Sequence, residues 1–210
     1  MAYTVKEIFY TLQGEGANAG RAAVFLRFTG CNLWTGLEKD RENAVCKFCD
    51  TDFVGVGPDG GKFQSAEELS SAVNDKWSKQ NLGKKLVVCT GGEPLLQLDE
   101  KLINTLKMRG FEVAVETNGT IEAPDGIDWL CVSPKSGSEL KQMTADELKL
   151  VYPQSGAEPE IYESYLTNNF LLQPMDGIDA VMNTKSAIEY CLSHPQWRLS
   201  VQTHKILGVR

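Results

Sequence analysis

The stretch "KLVVCTGGEPLLQLDEKLINTLKMRGFEVAVETNG", residues 85–119, decides the fold. Two of its runs, "KLVVCT" (85–90) and "FEVAVET" (111–117), are short, apolar and rich in β-branched residues, as strands buried on both faces are. Between them, "LLQLDEKLINTLKMRG" (95–110) has a helical pattern and ends on Gly110, a natural helix stop. Strand, helix and strand in that order imply a right-handed crossover and a parallel sheet.

The same alternation extends in both directions. Further strand-like runs are "AAVFLRF" (22–28), "DWLCVS" (128–133), "ELKLVY" (147–152), "FLLQPM" (170–175) and "RLSVQTH" (198–204). A helix is expected over 65–79, opening on Ser65 with Glu68 three residues on, the spacing of a capping box. Another is expected over 178–194, halted before Pro195. The span 117–128 is too short for a crossover helix. No repeat or low-complexity segment interrupts the series, so residues 1–210 read as one α/β domain.

Each strand run ends in polar or Gly-rich residues: "GGEP", "TNG", "PK", "DG" and "THK". The carboxyl ends of parallel strands are where barrels and open α/β sheets build their sites. Turns alone account for glycines there. They do not account for Glu93, Glu116, Lys135 and His204 together.

Composition narrows the function classes. Of 210 residues, 42% are hydrophobic and 23% charged, and 28 acids against 21 bases give a net charge of −7. No block of Lys or Arg marks a nucleic-acid groove or an anionic membrane surface. No run nears the ~18 apolar residues of a membrane span. The start, "MAYTVKEIFYTLQGEG", lacks a basic leader followed by an apolar run, so a cytoplasmic protein with reduced thiols is expected. Clustered cysteines in such a chain point to metal chemistry rather than disulfides.

Cys31, Cys46 and Cys49 lie in "TGCNLWTGLEKDRENAVCKFCDTDF" (29–53). A structural zinc site needs a fourth ligand, from Cys89, Cys131, Cys191, His194 or His204. Cys89 and Cys131 sit in apolar strand runs, where a free cysteine behaves as a small hydrophobe, and Cys191 late in a helix reads the same way. The other reading is an iron–sulfur cluster, usually held by four thiolates. Three would leave one iron open to a small molecule. Spacing alone leaves both readings open.

The cysteine run and "TGGEP" resemble the radical S-adenosylmethionine (SAM) superfamily. Fourteen residues separate Cys31 from Cys46, where that superfamily usually has three, and "TGLEKDRENAV" is expected to form a short helical excursion. The ordered set "FYTLQGEG", "TGC", "CDTDF", "TGGEP", "ETNGT", "SPK", "QPMDG" and "QTHKILGVR" resembles, more closely, the 7-carboxy-7-deazaguanine synthase family, including its branch with the lengthened cysteine loop. The resemblance spans nearly the whole chain.

What the resemblance implies is specific. Cys31, Cys46 and Cys49 hold a [4Fe–4S] cluster, and SAM binds its open iron. Lys47, Phe48, Asp50, Gly91, Gly92 and Glu93 belong to the SAM site, with Glu93 holding the region by hydrogen bonds. Glu116 suits a ribose hydroxyl pair, and Ser133, Pro134 and Lys135 with Gln173, Pro174, Met175 and Asp176 take the rest of SAM. Thr51 is a Mg²⁺ ligand, which a single hydroxyl can be only if a substrate carboxylate shares the ion. Without the resemblance, "DTD" is a solvated turn and Phe48 a core residue.

The implied substrate is 6-carboxy-5,6,7,8-tetrahydropterin. Leu12, Gln13, Gly14 and Glu15 offer donors and acceptors to its edge, and Arg27 suits its carboxylate, since a guanidinium pairs bidentately. Thr90, His204 and Arg210 complete the substrate set, although His204 also reads as a satisfied core histidine. The implied reaction is one-electron cleavage of SAM, hydrogen abstraction at C6, ring contraction and loss of ammonia. The product, 7-carboxy-7-deazaguanine, feeds deazapurine and queuosine biosynthesis. An external reductant such as flavodoxin is implied.

The fold expected is a partial, open (β/α) barrel of the radical SAM type with mostly parallel strands, because a full barrel takes about 250 residues. An incomplete barrel leaves a flank exposed, and a homodimer is expected to cover it. Two other functions compete: another radical SAM enzyme, such as a glycyl-radical activating enzyme, and a structural zinc protein.

Overall fold

The computed structural model describes residues 2–78 and 83–210. The decisive stretch folds as read: β4 (Lys85–Gly91), α2 (Glu100–Met108) and β5 (Phe111–Thr117), with β4 and β5 parallel. Gly110 closes α2 at φ +83°, a left-handed conformation that a Cβ disfavours. The helix starts later than its apolar pattern because Asp99 caps it, accepting from the Leu102 amide at 2.9 Å. A 3₁₀ turn over Pro94–Leu96 takes up the residues before it.

With β1 (Tyr3–Leu12) and the short β3 (Gly61–Phe63), which pairs with it, the described residues contain nine strands in one sheet, in the order β3-β1-β2-β4-β5-β6-β7-β8-β9. From β2 (Ala22–Phe28) onward every pairing is parallel, through β6 (Trp129–Val132), β7 (Glu147–Tyr152), β8 (Phe170–Pro174) and β9 (Trp197–Leu199). The first and last strands in the order do not pair, so this is an open α/β barrel. No helix joins β5 to β6, as the short span between them required. No helix among the described residues is long and apolar enough to cross a membrane.

Two readings needed correction. β1 (Tyr3–Leu12) carries no simple alternation, because its register to β2 shifts between Val5 and Glu7. Such a bulge moves inward-facing residues out of period, and the strand went unread. The run 198–204 is not one strand: β9 stops at Leu199, and α4 (Thr203–Leu207) begins after a short break.

α1 (Ala66–Lys76) and α3 (Ala180–Ser193) lie inside the ranges expected for them, and Lys79, the last residue read into the first, lies outside the described residues. Ser65 caps α1, accepting from the Glu68 amide, while the Glu68 carboxylate accepts from Gln64. Cys89 and Cys131 are core residues.

Asp99 also accepts a hydrogen bond from the fully buried Tyr3 hydroxyl at 2.8 Å, tying the helix start to β1. Asp99→Ala removes a cap and strands a buried hydroxyl. The expected loss of stability is about 2 kcal/mol, read from urea unfolding; a loss well below 0.5 kcal/mol would refute this role.

Candidate active site

The carboxyl ends of the parallel strands surround a cavity of about 470 Å³. Most of its lining follows that rim; β1 runs antiparallel, so its end reaches the cavity from beside the start of β2. Leu12, Gln13, Gly14 and Glu15 come from the end of β1, Arg27 from β2, and Thr90, Gly91 and Gly92 from β4. Glu116 follows on β5, Ser133 and Lys135 after β6, and Gln173, Pro174, Met175 and Asp176 at the end of β8. The cysteine loop adds Cys46, Phe48, Cys49, Asp50 and Thr51; the C-terminal segment adds His204 and Arg210.

Four expected site residues stand off the cavity wall: Cys31, Lys47, Glu93 and Pro134. Lys47 is exposed. Pro134 is buried, its carbonyl accepting from Gln154 at 3.4 Å. Glu93 is fully buried and accepts from the amides of Leu95 and Asn118 and the Thr117 hydroxyl, at 2.8–3.0 Å. It therefore fastens the "GGEP" turn to the end of β5. Burial pushes its carboxyl up, and these donors work against that. Cys31 lies behind Gly92, where a Cβ would strike the Gly30 carbonyl and come within 2.7 Å of the Cys31 Cβ. Only glycine permits that approach.

The electrostatic centre is a residue that had not been singled out. Lys149, on β7, has a side chain only 4% exposed and makes ion pairs with Glu15 and, at 3.1 Å, with Glu116. Gln13 donates to the other Glu116 oxygen at 2.8 Å, and Gln202 to the other Glu15 oxygen at 2.9 Å. Glu116 is thus tied to Gln13 directly and to Glu15 through Lys149. Burial pushes the Glu15 carboxyl up, but the charge and hydrogen bond of Lys149, with the Gln202 and Gln173 amides, bring it down to about 2. Burial disfavours the Lys149 ammonium; Glu116 and Glu15 outweigh that and hold it charged.

Arg27 is paired within the protein. Glu7 stands directly across from it on β1 and accepts from Nε at 2.8 Å. The cross-strand carboxylate answers the cost of a charge in an apolar strand. The terminal amino groups have no acceptor among the described residues and are the ones free for a ligand. Glu7 also accepts from Arg210 at 2.7 Å, and Arg210 reaches Asp59 at 2.8 Å, with its guanidinium 4.6 Å over the Phe9 ring. Thr203 donates to the Gly14 carbonyl at 2.9 Å through both amide and hydroxyl. Lys205 bridges to Asp50, at 2.7 Å, and to Asp176. These contacts fasten the C-terminal segment over the cavity.

Sequence reading missed Glu7, Lys149, Gln202 and Lys205. Lys149 had a signal, a lone charge in the apolar run "ELKLVY", of the same kind that marked Arg27. The others had none, since each depends on a partner distant in sequence.

Among the described residues, no three His, Cys, Asp or Glu side chains converge as they stand to hold a metal ion. Cys46 and Cys49 carry free thiols near enough to influence each other: that influence and burial push Cys46 up, while Cys46 pulls Cys49 down. Cys31 is raised by burial and accepts from the Leu33 amide at 3.4 Å. The donor set still fits an iron–sulfur cluster: three thiols, two on the cavity wall, beside the ammonium of Lys135. Burial pushes that ammonium down, and Cys46 and Cys49 are among the groups that pull it up. Such a cation suits neighbouring thiolates.

Comparison with known proteins gave consistent results. No family model matches the chain. A 7-carboxy-7-deazaguanine synthase of Bradyrhizobium diazoefficiens is 63% identical over 211 residues, covering 100% of both chains. One from Caulobacter vibrioides is 61% identical over 210 residues, again covering 100% of both. The crystal structure of QueE from Escherichia coli is similar at a TM-score of 0.70 and 27% identity, covering 96% of this chain and 94% of that one.

The Glu15 pair sets a pH dependence. Its carboxyl lies at about 2 in the folded chain against an ordinary 4.5, so its stabilisation is present above pH 4.5 and lost as pH falls toward 2. The contribution is on the order of 3 kcal/mol. In Lys149→Met the largest lowering influence is gone and burial is opposed only by the Gln202 and Gln173 amides, so the loss across that window should shrink or reverse. Urea unfolding of both proteins from pH 2 to 7 measures the difference. Parallel curves would refute the pairing.

Proposed function

This chain belongs to the 7-carboxy-7-deazaguanine synthase family, and from that premise we propose how its residues carry the family's reaction. The function is that of a radical SAM lyase that forms 7-carboxy-7-deazaguanine from 6-carboxy-5,6,7,8-tetrahydropterin with loss of ammonia, in 7-deazapurine and queuosine biosynthesis. The observation carrying the assignment of roles is that Gln13, Glu15, Arg27, Glu116 and His204 line the same cavity as Cys46 and Cys49.

Cys31, Cys46 and Cys49 would hold the [4Fe–4S] cluster; with SAM bound, it supplies the one-electron chemistry that starts hydrogen abstraction from the substrate. The chain supplies orientation and exclusion of water. Phe48 offers a ring face between two ligands, and Gly91 and Gly92 let backbone approach SAM. Ser133 and Lys135 stand ready on the next strand end, where the Ser133 hydroxyl and carbonyl hold the Lys135 ammonium at 2.6 and 2.7 Å. Gln173, Pro174, Met175 and Asp176 close that side.

On the substrate side, Gln13 and Glu15 form a wall held through Lys149 and Glu116, which is itself fixed in place for the SAM ribose. Such a wall suits the amide-like edge of a flat heterocycle, because its groups need no reorganisation on binding. The terminal amino groups of Arg27 take the substrate carboxylate, and His204 moves or holds a proton nearby. Thr51 would hold Mg²⁺ with that carboxylate, since the flanking Asp50 and Asp52 are engaged by Lys205 and Lys6. We read the protein as cytoplasmic and supplied with electrons by an external carrier such as flavodoxin. Apolar side chains exposed on and beside α3, among them Ile178, Val181, Met182 and Leu192, favour a homodimer.

Anaerobic reconstitution with iron and sulfide, then reduction and addition of SAM, Mg²⁺ and the carboxytetrahydropterin, should give 7-carboxy-7-deazaguanine by mass spectrometry. Cys31→Ala, Cys46→Ala and Cys49→Ala should each abolish it, and Arg27→Met should raise KM about tenfold or more. A loaded cluster that cleaves SAM without forming product would reject the substrate; zinc in place of iron and sulfide would reject the cluster.

A further inference from the structure

The fourteen residues between Cys31 and Cys46 fold back on the cysteine turn, where the Leu33 carbonyl accepts from the Cys46 amide and one side chain, Arg41, reaches the turn's backbone. Arg41 lies on the 3₁₀ helix Glu38–Asn43. Its guanidinium sits 4.1 Å over the Trp34 ring, and Nε donates to both Glu38 carboxylate oxygens at 2.8 Å. Nη1 donates to the carbonyl of Lys47 at 2.8 Å and to that of Cys49 at 3.1 Å. Trp34 in turn donates to the Leu37 carbonyl at 3.3 Å and meets Phe53 edge-on at 5.6 Å. The excursion is therefore anchored on both sides of the C-x2-C turn, by apolar contact and by the fork of Arg41.

A trans peptide points its carbonyl and its N–H in opposite directions. With the Lys47 carbonyl held by Arg41 at 2.8 Å, the Phe48 N–H of the same peptide unit is turned the opposite way, toward Cys46. Hydrogen bonds to ligand sulfurs raise the reduction potential of an iron–sulfur cluster. Because Glu38 offsets much of the guanidinium's charge, peptide orientation is the effective lever.

We propose that Arg41 is a positioning residue that orients the peptides of the Cys46–Cys49 turn and so raises the reduction potential of the cluster held there. This assigns work to the long cysteine loop, and it rests on the reading that the three cysteines hold a cluster. A lysine in its place keeps charge but lacks the planar guanidinium in which Nε holds Glu38 while Nη1 reaches the two carbonyls.

The test needs neither SAM nor substrate. Wild type, Arg41→Gln, Arg41→Lys and Lys39→Gln would be reconstituted anaerobically, assayed for iron and sulfide, and titrated by EPR against potential. Lys39 is an exposed cation on the same 3₁₀ helix, so its variant controls for net charge. At the wild-type midpoint, the reduced-to-oxidised ratio of Arg41→Gln should fall about tenfold, which is about 59 mV for a one-electron couple. Arg41→Lys should shift less in the same direction, and Lys39→Gln should match wild type.

A fully loaded Arg41→Gln with the wild-type midpoint overturns the proposal, as does an equal shift in Lys39→Gln. If Arg41→Gln takes up no cluster, Arg41→Lys decides: a negative shift supports the role and an unchanged midpoint overturns it. A wild-type protein that takes up no iron or sulfide would instead bring down the functional reading beneath it.

Discussion

The ion pairs of Lys149 with Glu15 and Glu116 hold the cavity together. An ammonium this deep in a parallel sheet carries a desolvation cost of several kcal/mol. Two carboxylates offset that cost, and the amides of Gln13 and Gln202 occupy their remaining oxygens. The network draws together the end of β1, the end of β5, the middle of β7 and the segment before α4. Removing Lys149 leaves two carboxylates without their shared cation, so the polar wall depends on it. That rigidity suits recognition of a flat heterocycle, because its groups are already aimed.

A second set of charges governs closure. Lys205 links α4 to the cysteine loop at Asp50 and to the β8 end at Asp176, and Arg210 reaches back to β1 through Glu7. Glu7 therefore serves both the last residue of the chain and Arg27 in the cavity wall. These pairs are more exposed than the Lys149 network, so each contributes modestly. Their effect is geometric: they bring His204 over the rim of a sheet whose own strands leave one side open. The cysteine loop is treated similarly, with Trp34 and Arg41 folding an insertion back onto the turn it interrupts.

Much of this was legible locally. The strands at 22–28, 111–117 and 147–152 coincide with their apolar runs, because strands buried on both faces need no alternation to be recognised. The polar residues at their carboxyl ends marked the rim, and a parallel sheet turns those ends to one side. β1 escaped because its bulge breaks the period. The start of α2 slid because Pro94–Leu96 is apolar yet turns separately before the Asp99 cap.

The sequence by itself determined the parallel α/β alternation, the three-cysteine loop, and the kinds of residue gathered at the strand ends. These are properties of neighbours along the chain: hydrophobic period, capping spacing and turn composition. Only the tertiary structure decided that Arg27 answers to Glu7, that Lys149 is the cation between Glu15 and Glu116, and that Glu93 is a buried fastener behind the cavity. Each of those depends on a partner 20 to 134 residues away, and no local pattern records which side chain will neutralise which. Charge pairing in a low-dielectric interior is settled when strands come into register, and that is why the kinds of residue at the strand ends could be read from sequence while their electrostatics could not.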